Sequence, residues 1–216
     1  PPHADLAEAQ AAKHELICAK LGLQSGMRLL DVGCGWGALA RHAATHHGVD
    51  VVGVTLSPVQ ARWAKARNER DGLSDHIEIR VQDYREVADG PFDAISSVGM
   101  FEHVGAERMG VYFSHLYELL DEGGRFLNHA ISRPAGQPPG IDADSFVGRY
   151  VFPDGELLEV GRAVSAMAGA GFEVRHVEDL REHYVRTLRT WVANLEANWG
   201  EAVAEVCRLD EIEVRV

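Results

Sequence analysis

The residues best suited to chemistry lie in Leu29-Leu30-Asp31-Val32-Gly33-Cys34-Gly35-Trp36-Gly37, where an apolar run delivers an acid and then alternate glycines. The helix formers Ala38 to Ala43 follow directly. This order predicts a strand, a tight turn and a helix start. Glycine is required in such a turn because the chain reverses with no Cβ in the way and because a ligand lies directly against the main chain. Amides at the helix N-terminus then face the ligand, and Asp31 stands within reach of a ribose or an ammonium group. The chemistry served is the holding of a nucleotide-like cofactor.

The same glycines also satisfy the loose dinucleotide fingerprint, so the next strand has to discriminate. A nicotinamide-binding unit places an acid on the ribose about 20 residues later. Here Val51-Val52-Gly53-Val54 runs into Thr55-Leu56-Ser57-Pro58-Val59-Gln60, and Asp50 stands at the start of that strand rather than its end. The pattern favours S-adenosylmethionine over a dinucleotide and places a purely structural glycine turn behind both.

Strands are expected at Arg28 to Val32, Val51 to Thr55, Ile77 to Val81, Phe92 to Val98 and Arg125 to Ala130. Helices are expected at Asp5 to Leu21, Gly37 to His47, Pro58 to Arg70 and Met109 to Leu120. Such alternation predicts an α/β fold with a mainly parallel sheet and helices on both faces. Ligands gather at the carboxyl ends of such strands. Those ends carry Gln82-Asp83-Tyr84-Arg85, then Ser96 to His103, then Asn128-His129-Ala130-Ile131, so polar groups converge on one rim.

Asp121 to Gly124 reads as a turn, and Ser132 to Gly140, rich in proline and glycine, as a loop. Phe146, Tyr150 and Phe152 follow, either as core or as the lining of an apolar tunnel. Beyond them the spacing predicts a helix over Glu156 to Ala170, a strand over Phe172 to Val177, an amphipathic helix over Arg181 to Asn198, and a strand-like end at Ile212 to Val216. The whole chain is expected to form one domain.

The 216 residues suffice for a sizeable core, and 46% hydrophobic with 25% charged residues is ordinary for a globular protein. With 33 acids against 21 bases the formal net charge is -12, which argues against nonspecific attraction to nucleic acid or an anionic membrane face. Cys18, Cys34 and Cys207 are odd in number and widely spaced, so neither a disulfide framework nor a zinc site is indicated, in keeping with a cytoplasmic location. No apolar run approaches the ~18 to 20 residues of a membrane-spanning helix.

Taken in order, these stretches resemble the cyclopropane fatty acid and mycolic acid cyclopropane synthases. The resemblance rests on Leu29 to Gly37, Gly53-Val54-Thr55-Leu56-Ser57 with Gln60, Gln82-Asp83-Tyr84-Arg85, Ser97 to Gly105 with its Met100-Phe101-Glu102-His103, Tyr150 to Gly155, and His183 to Leu188 with Trp191. It implies a Rossmann-like, class I methyltransferase that uses S-adenosylmethionine to modify the double bond of an unsaturated phospholipid or other acyl chain. Gly33 to Gly37, together with Asp31 and Val32 before them, would hold the methionine portion. Thr55, Leu56, Ser57 and Gln60 would serve the ribose, and Gln82, Asp83 and Tyr84 the adenine. A bicarbonate ion would be held by the side chains of Glu102, His129 and Tyr184 and the backbone of Ile131. Phe146, Tyr150 and Phe152, in an insertion around 132–155, would line the lipid path.

The resemblance further implies peripheral contact with the inner membrane face, while the net acidity argues against a nucleic-acid partner and the cysteine spacing against a metal. It also leads one to expect an N-terminal lid segment ahead of the first helix that this sequence does not include. A methylene- or methyl-branched product is a sibling outcome of the same site, and a noncatalytic lipid- or cofactor-binding subunit is the contrasting one.

Overall fold

The computed structural model describes residues 5–137, 141–142, 144–145, 148–149 and 155–205. The chain divides into a larger unit, Ala11–Arg175, and a smaller one formed by Pro1–Gln10 with His176–Val216.

The larger unit is built on a five-stranded parallel sheet. Its strands are β1 (Arg28–Val32), β2 (Asp50–Thr55), β3 (Ile77–Val81), β4 (Phe92–Val98) and β5 (Leu120–His129), in the spatial order β3-β2-β1-β4-β5. Helices α1 (Leu6–Leu21, of which the part from Ala11 belongs here), α2 (Ala38–His47), α3 (Pro58–Arg70), α4 (Met109–Leu119) and α5 (Val160–Gly169) accompany it. The strand order reverses between β1 and β4, so a crevice opens at their carboxyl ends.

The alternation of β-strand side chains builds the two faces. Leu29 and Ala94 pack with Ile17, Cys18 and Leu21 of α1 and with the small residues of α2 and α3. Leu30 and Ile95 turn the other way, onto Tyr112, Phe113 and Leu116 of α4, while Ala163, Ala166 and Met167 of α5 pack against the same cluster. Each of those fully buried α4 side chains contributes roughly 1.5–3 kcal/mol. Alanines at positions 40, 43, 61 and 64 let α2 and α3 lie close to the sheet.

Several expected elements are displaced. β5 begins at Leu120 rather than Arg125, and the expected turn at Asp121 to Gly124 is taken up as a register shift in the ladder, where Phe92 pairs with Leu120 and Ala94 already with Arg125. Ser132–Arg133, expected as loop, forms β6 and pairs in parallel with β7 (Leu158–Glu159), so α5 starts at Val160 rather than Glu156. No strand forms over Phe172 to Val177. Phe172 does pack edgewise on Tyr117 and beside Phe126, but an alternating pattern without a neighbouring ladder makes no sheet.

In the smaller unit, α6 (Arg181–Ala197) contains no buried residue, and residues 199–205 are again helical. The strand-like end at Ile212 to Val216 lies outside the described residues, as do Phe146, Tyr150 and Phe152. Among the described residues no helix is long and apolar enough to cross a membrane.

Candidate active site

The turn after β1 passes Gly33, Gly35 and Gly37 at φ values of 77°, 54° and 70°, a left-handed conformation that side-chain-bearing residues resist. The Gly33 and Cys34 amides both donate to the Val54 carbonyl at 3.0 Å, tying the loop to β2. Among the described residues, the Gly35 and Trp36 amides find no backbone acceptor and are left for a ligand. A Cβ placed on Gly35 would meet nothing within 4 Å, so the absent side chain leaves open room above the loop. Trp36 stands edge-on to Trp63 of α3, and its carbonyl accepts from Arg41, which fixes the outer wall.

A cavity of about 580 Å³ lies against this loop. Of the residues expected to hold a cofactor, it brings together Val32, Gly33, Gly35, Thr55, Leu56, Ser57, Gln60, Gln82, Asp83 and Tyr84. Asp31, Cys34, Trp36 and Gly37 do not line it. Cys34 is buried with its thiol pushed up to about 12 by that burial, which makes it a packing group.

The expected ribose contacts are pre-organised by helix capping. The Ser57 hydroxyl accepts from the Gln60 amide at 3.3 Å as the N-cap of α3, and the Thr55 hydroxyl donates to the Gln60 side chain at 2.9 Å. Asp83 accepts from the Arg85 amide and its Nε, both at 2.9 Å, and this pairing holds its carboxyl below the usual range. Leu56 is 71% exposed, an apolar surface at the cavity edge available to stack on a ring.

Asp31 is buried at 2% exposure, and that burial pushes its carboxyl up to about 6, opposed by a hydrogen bond from Ser96 and by the Lys13 ammonium. The Ser96 hydroxyl donates to Oδ1 at 2.9 Å, while Oδ2 has no partner among the described residues. Lys13, on the helix expected over Asp5 to Leu21, is a further charged residue whose field reaches the site. Its ammonium, desolvated and depressed by burial, faces Asp31 and is also felt by His129. Gly99, Met100, His103 and Arg108 likewise line the cavity without having been singled out for it. The signal available was their position at the end of β4, where the chain leaves the sheet.

The second group of expected residues sits beside this cavity. A 3-10 turn, Phe101–His103, follows β4 and carries Glu102 inward at 2% exposure. Its Oε1 accepts from the Ile131 amide at 2.8 Å, and its Oε2 is buried with no partner among the described residues. The β4–β5 ladder pairs Val98 with His129, which brings the imidazole into the field of Glu102. Crowding by surrounding atoms lowers the His129 pKa more than Glu102 raises it, so the ring is neutral at pH 7 although it is open at the rim. Glu102, His129 and Ile131 are therefore brought together. Tyr184 lies on α6 of the smaller unit, 43% exposed, its ring edgewise to Trp191.

Buried oxygens of Asp31, Glu102 and Asn128 that have no partner among the described residues thus lie near the carboxyl ends of β1, β4 and β5. Buried polar atoms normally find partners, and a group of orphans at one rim marks a place built to receive a polar ligand.

The sheet order and this rim define a Rossmann-like fold of the class I methyltransferase type. A solved structure of mycolic acid cyclopropane synthase CmaA1, complexed with SAH and CTAB, superposes with a TM-score of 0.84 at 36% identity, covering 93% of this chain and 74% of that one. A probable fatty acid methyltransferase of Mycobacterium tuberculosis is 48% identical over 203 residues, covering 94% of this chain and 47% of the relative. The cyclopropane-fatty-acyl-phospholipid synthase of Escherichia coli K12 is 40% identical over 197 residues, covering 91% and 49%. The chain thus spans about half the length of these two curated relatives. A family model described as mycolic acid cyclopropane synthetase matches residues 1–212, and the chain belongs to that family.

Proposed function

We propose that the protein transfers a one-carbon unit from S-adenosylmethionine to the cis double bond of an unsaturated acyl chain, giving a cyclopropane ring. The observation that carries this reading is the inward Glu102 carboxyl, with one unpaired buried oxygen, next to His129 and beside the glycine-loop cavity. Ring closure differs from transfer to an oxygen or nitrogen in that the proton leaves the transferred methyl carbon itself, so a proton acceptor has to stand where that carbon lands.

S-adenosylmethionine, when bound, supplies an electrophilic sulfonium methyl. The Gly35 amide, which has no backbone acceptor among the described residues, the Thr55-Gln60 pair and the Asp83-Tyr84 corner fit its methionine, ribose and adenine parts in that order. Asp31, at the end of β1 just before the glycine loop, is assigned to the ammonium group by its place in the sequence. The double bond is a weak nucleophile, so the residues have to hold it in line and keep water from the developing cation. Met100 and Val104, apolar residues on the cavity wall, serve that exclusion.

Ring closure then demands loss of a proton from the transferred methyl group. Bicarbonate, when bound, supplies a small base for that step. The Glu102 oxygen without a partner and the neutral His129 ring fit a polar ion of that size, and Tyr184 is assigned to the same ion by family resemblance. Phe146, Tyr150 and Phe152 are assigned to the lipid path on the same ground. The acyl substrate, drawn from a phospholipid or a carrier, brings the enzyme into peripheral contact with the inner membrane face.

A second reading has a specific observation behind it. Relatives named as probable fatty acid methyltransferases are 48% and 43% identical, against 40% for the cyclopropane synthase of E. coli. The same site would then yield a methyl- or methylene-branched chain. Incubation with methyl-deuterated S-adenosylmethionine and unsaturated phospholipids, followed by mass spectrometry, decides between them. A saturated ring that has lost one deuterium supports cyclopropanation, and a retained double bond or a full trideuteromethyl supports branching. Cofactor binding by the full-length protein with no labelled lipid would overturn both.

A further inference from the structure

Away from the rim, helices α1 and α2 bring together a set of donors that the sequence separates. Cys18 lies on the inner face of α1 with no exposed surface, and His42 and His47 on α2 have side chains only 13% and 18% exposed. The Cys18 sulfur and one nitrogen from each of His42 and His47 all lie within 4.8 Å of one another. Glu15, one turn before Cys18, places a single carboxylate oxygen 3.0 Å from His42 Nε2 and 3.1 Å from His47 Nε2. We propose that Cys18, His42, His47 and Glu15 form a zinc(II) site that staples α1 to α2.

The donor set selects the ion. One thiolate, two imidazoles and one carboxylate are zinc ligands, and a hard cation such as calcium or magnesium would require oxygens throughout. With metal–ligand bonds of about 2.0–2.3 Å, the edges of a coordination tetrahedron run to roughly 3.3–3.7 Å. The Glu15–imidazole separations already approach that edge, while the Cys18 sulfur, within 4.8 Å of the imidazole nitrogens, has to move inward by up to about 1 Å to reach it. Thiolate and carboxylate together neutralise the divalent charge, so the ion can be held in a half-buried place.

Two further features suit a structural site. Four protein ligands leave no open position for substrate, as in structural rather than catalytic zinc centres. An entry route also exists, because His42 forms part of the wall of a surface cleft of about 390 Å³ with Thr45, His46 and Leu73. His47 closes α2 at the end opposite the glycine loop, about 15 Å along the helix axis at 1.5 Å per residue, so the site is separate from the cofactor cavity. The staple nevertheless reaches the active site mechanically. α1 also carries Lys13, whose ammonium lies in the electrostatic field of Asp31, so fixing α1 against α2 fixes the position of that charge.

The test uses untagged full-length protein, equilibrium dialysis against zinc(II) with elemental counting, and cobalt(II) substitution read by absorption. One ion per chain is expected, with a thiolate-to-cobalt charge-transfer band and tetrahedral visible bands. Cys18→Ser should abolish the charge-transfer band. Because Cys18 is fully buried and its variant can fail to fold, His47→Asn provides the second arm. It should keep the helical circular dichroism and lose at least the ~10–100-fold in zinc affinity that removal of a mere supporting partner costs. Zinc should also raise the melting temperature of the wild type and not that of His47→Asn. No ion taken up by the wild type, or equal uptake by wild type and both variants, overturns the site.

Discussion

Replacing Glu102 by glutamine separates its chemical duty from its structural one. In the native chain Oε1 accepts the Ile131 amide at 2.8 Å and Oε2 has no partner among the described residues. Glutamine keeps the amide acceptor, converting a charge-assisted bond worth ~1.5–3 kcal/mol into a neutral one worth ~0.5–1.5 kcal/mol. Against that loss of about 1 kcal/mol stands relief from burying a carboxylate without a full set of partners. Stability of Glu102→Gln should therefore stay within about 1 kcal/mol of the wild type.

Glu102→Ala is different, because it strands the Ile131 amide in the interior at a cost of ~1–3 kcal/mol, with a cavity on top. If Glu102 holds the proton-accepting assembly, Glu102→Gln should lower product formation by about 10²–10⁴-fold, or ~2.7–5.5 kcal/mol in the barrier. Calorimetric affinity for S-adenosylmethionine should change less than about threefold. The assay is lipid product by mass spectrometry beside a thermal melt of the same preparation. Full activity in Glu102→Gln with a native melt would refute the assignment, and a collapse in cofactor affinity would relocate Glu102 to the cofactor site.

Asp31 should leave a pH signature. Its carboxyl is raised from 3.8 to about 6, so the folded state binds a proton that the unfolded chain has already released, and stability contributed by the protonated form falls as pH rises from about 4 to about 6. At 1.36 kcal/mol per unit that is ~3 kcal/mol, and Asp31→Asn should flatten this part of the denaturation profile, stabilise the protein at pH 8 and weaken cofactor binding. An unchanged slope in the variant would remove Asp31 as its cause. Gly53→Ala places a Cβ 2.8 Å from the Ile79 side chain and 3.0 Å from Cys34, which should cost ~1–3 kcal/mol of stability and lower cofactor affinity by pushing the glycine loop. A melt equal to wild type would show that the strand yields without disturbing the loop. Tyr184→Phe keeps the ring that lies edgewise to Trp191 and removes the hydroxyl, so turnover should fall by at least about tenfold with melting temperature unchanged; equal turnover would dissociate Tyr184 from the reaction.

Much of the local structure around the glycine-loop cavity was legible because it is set by neighbours in the chain. β1, β3, β4 and α3 begin and end where the residue pattern placed them, since strand alternation, the Ser57-Pro58 cap and the glycine turn are specified by neighbours in the chain. Thr55, Ser57 and Gln60 fall within six consecutive positions, and their hydrogen bonds follow once the helix starts at Pro58.

What depended on distant partners was not legible. The alternation of Phe172 and Val174 promised a strand, and a strand exists only where a neighbour offers a ladder. The free oxygen of Glu102 became visible only when Ile131, 29 residues away, took the other. Lys13 has no role that the chain order reveals, and its ammonium enters the field of Asp31 only when α1 is laid beside β1. Three cysteines at wide spacing gave no metal signature along the chain, because a zinc signature in sequence relies on ligands a few residues apart. Cys18 and the pair His42 and His47 belong to different helices, and only the packing of both against one face of the sheet brings their donors within 4.8 Å of one another.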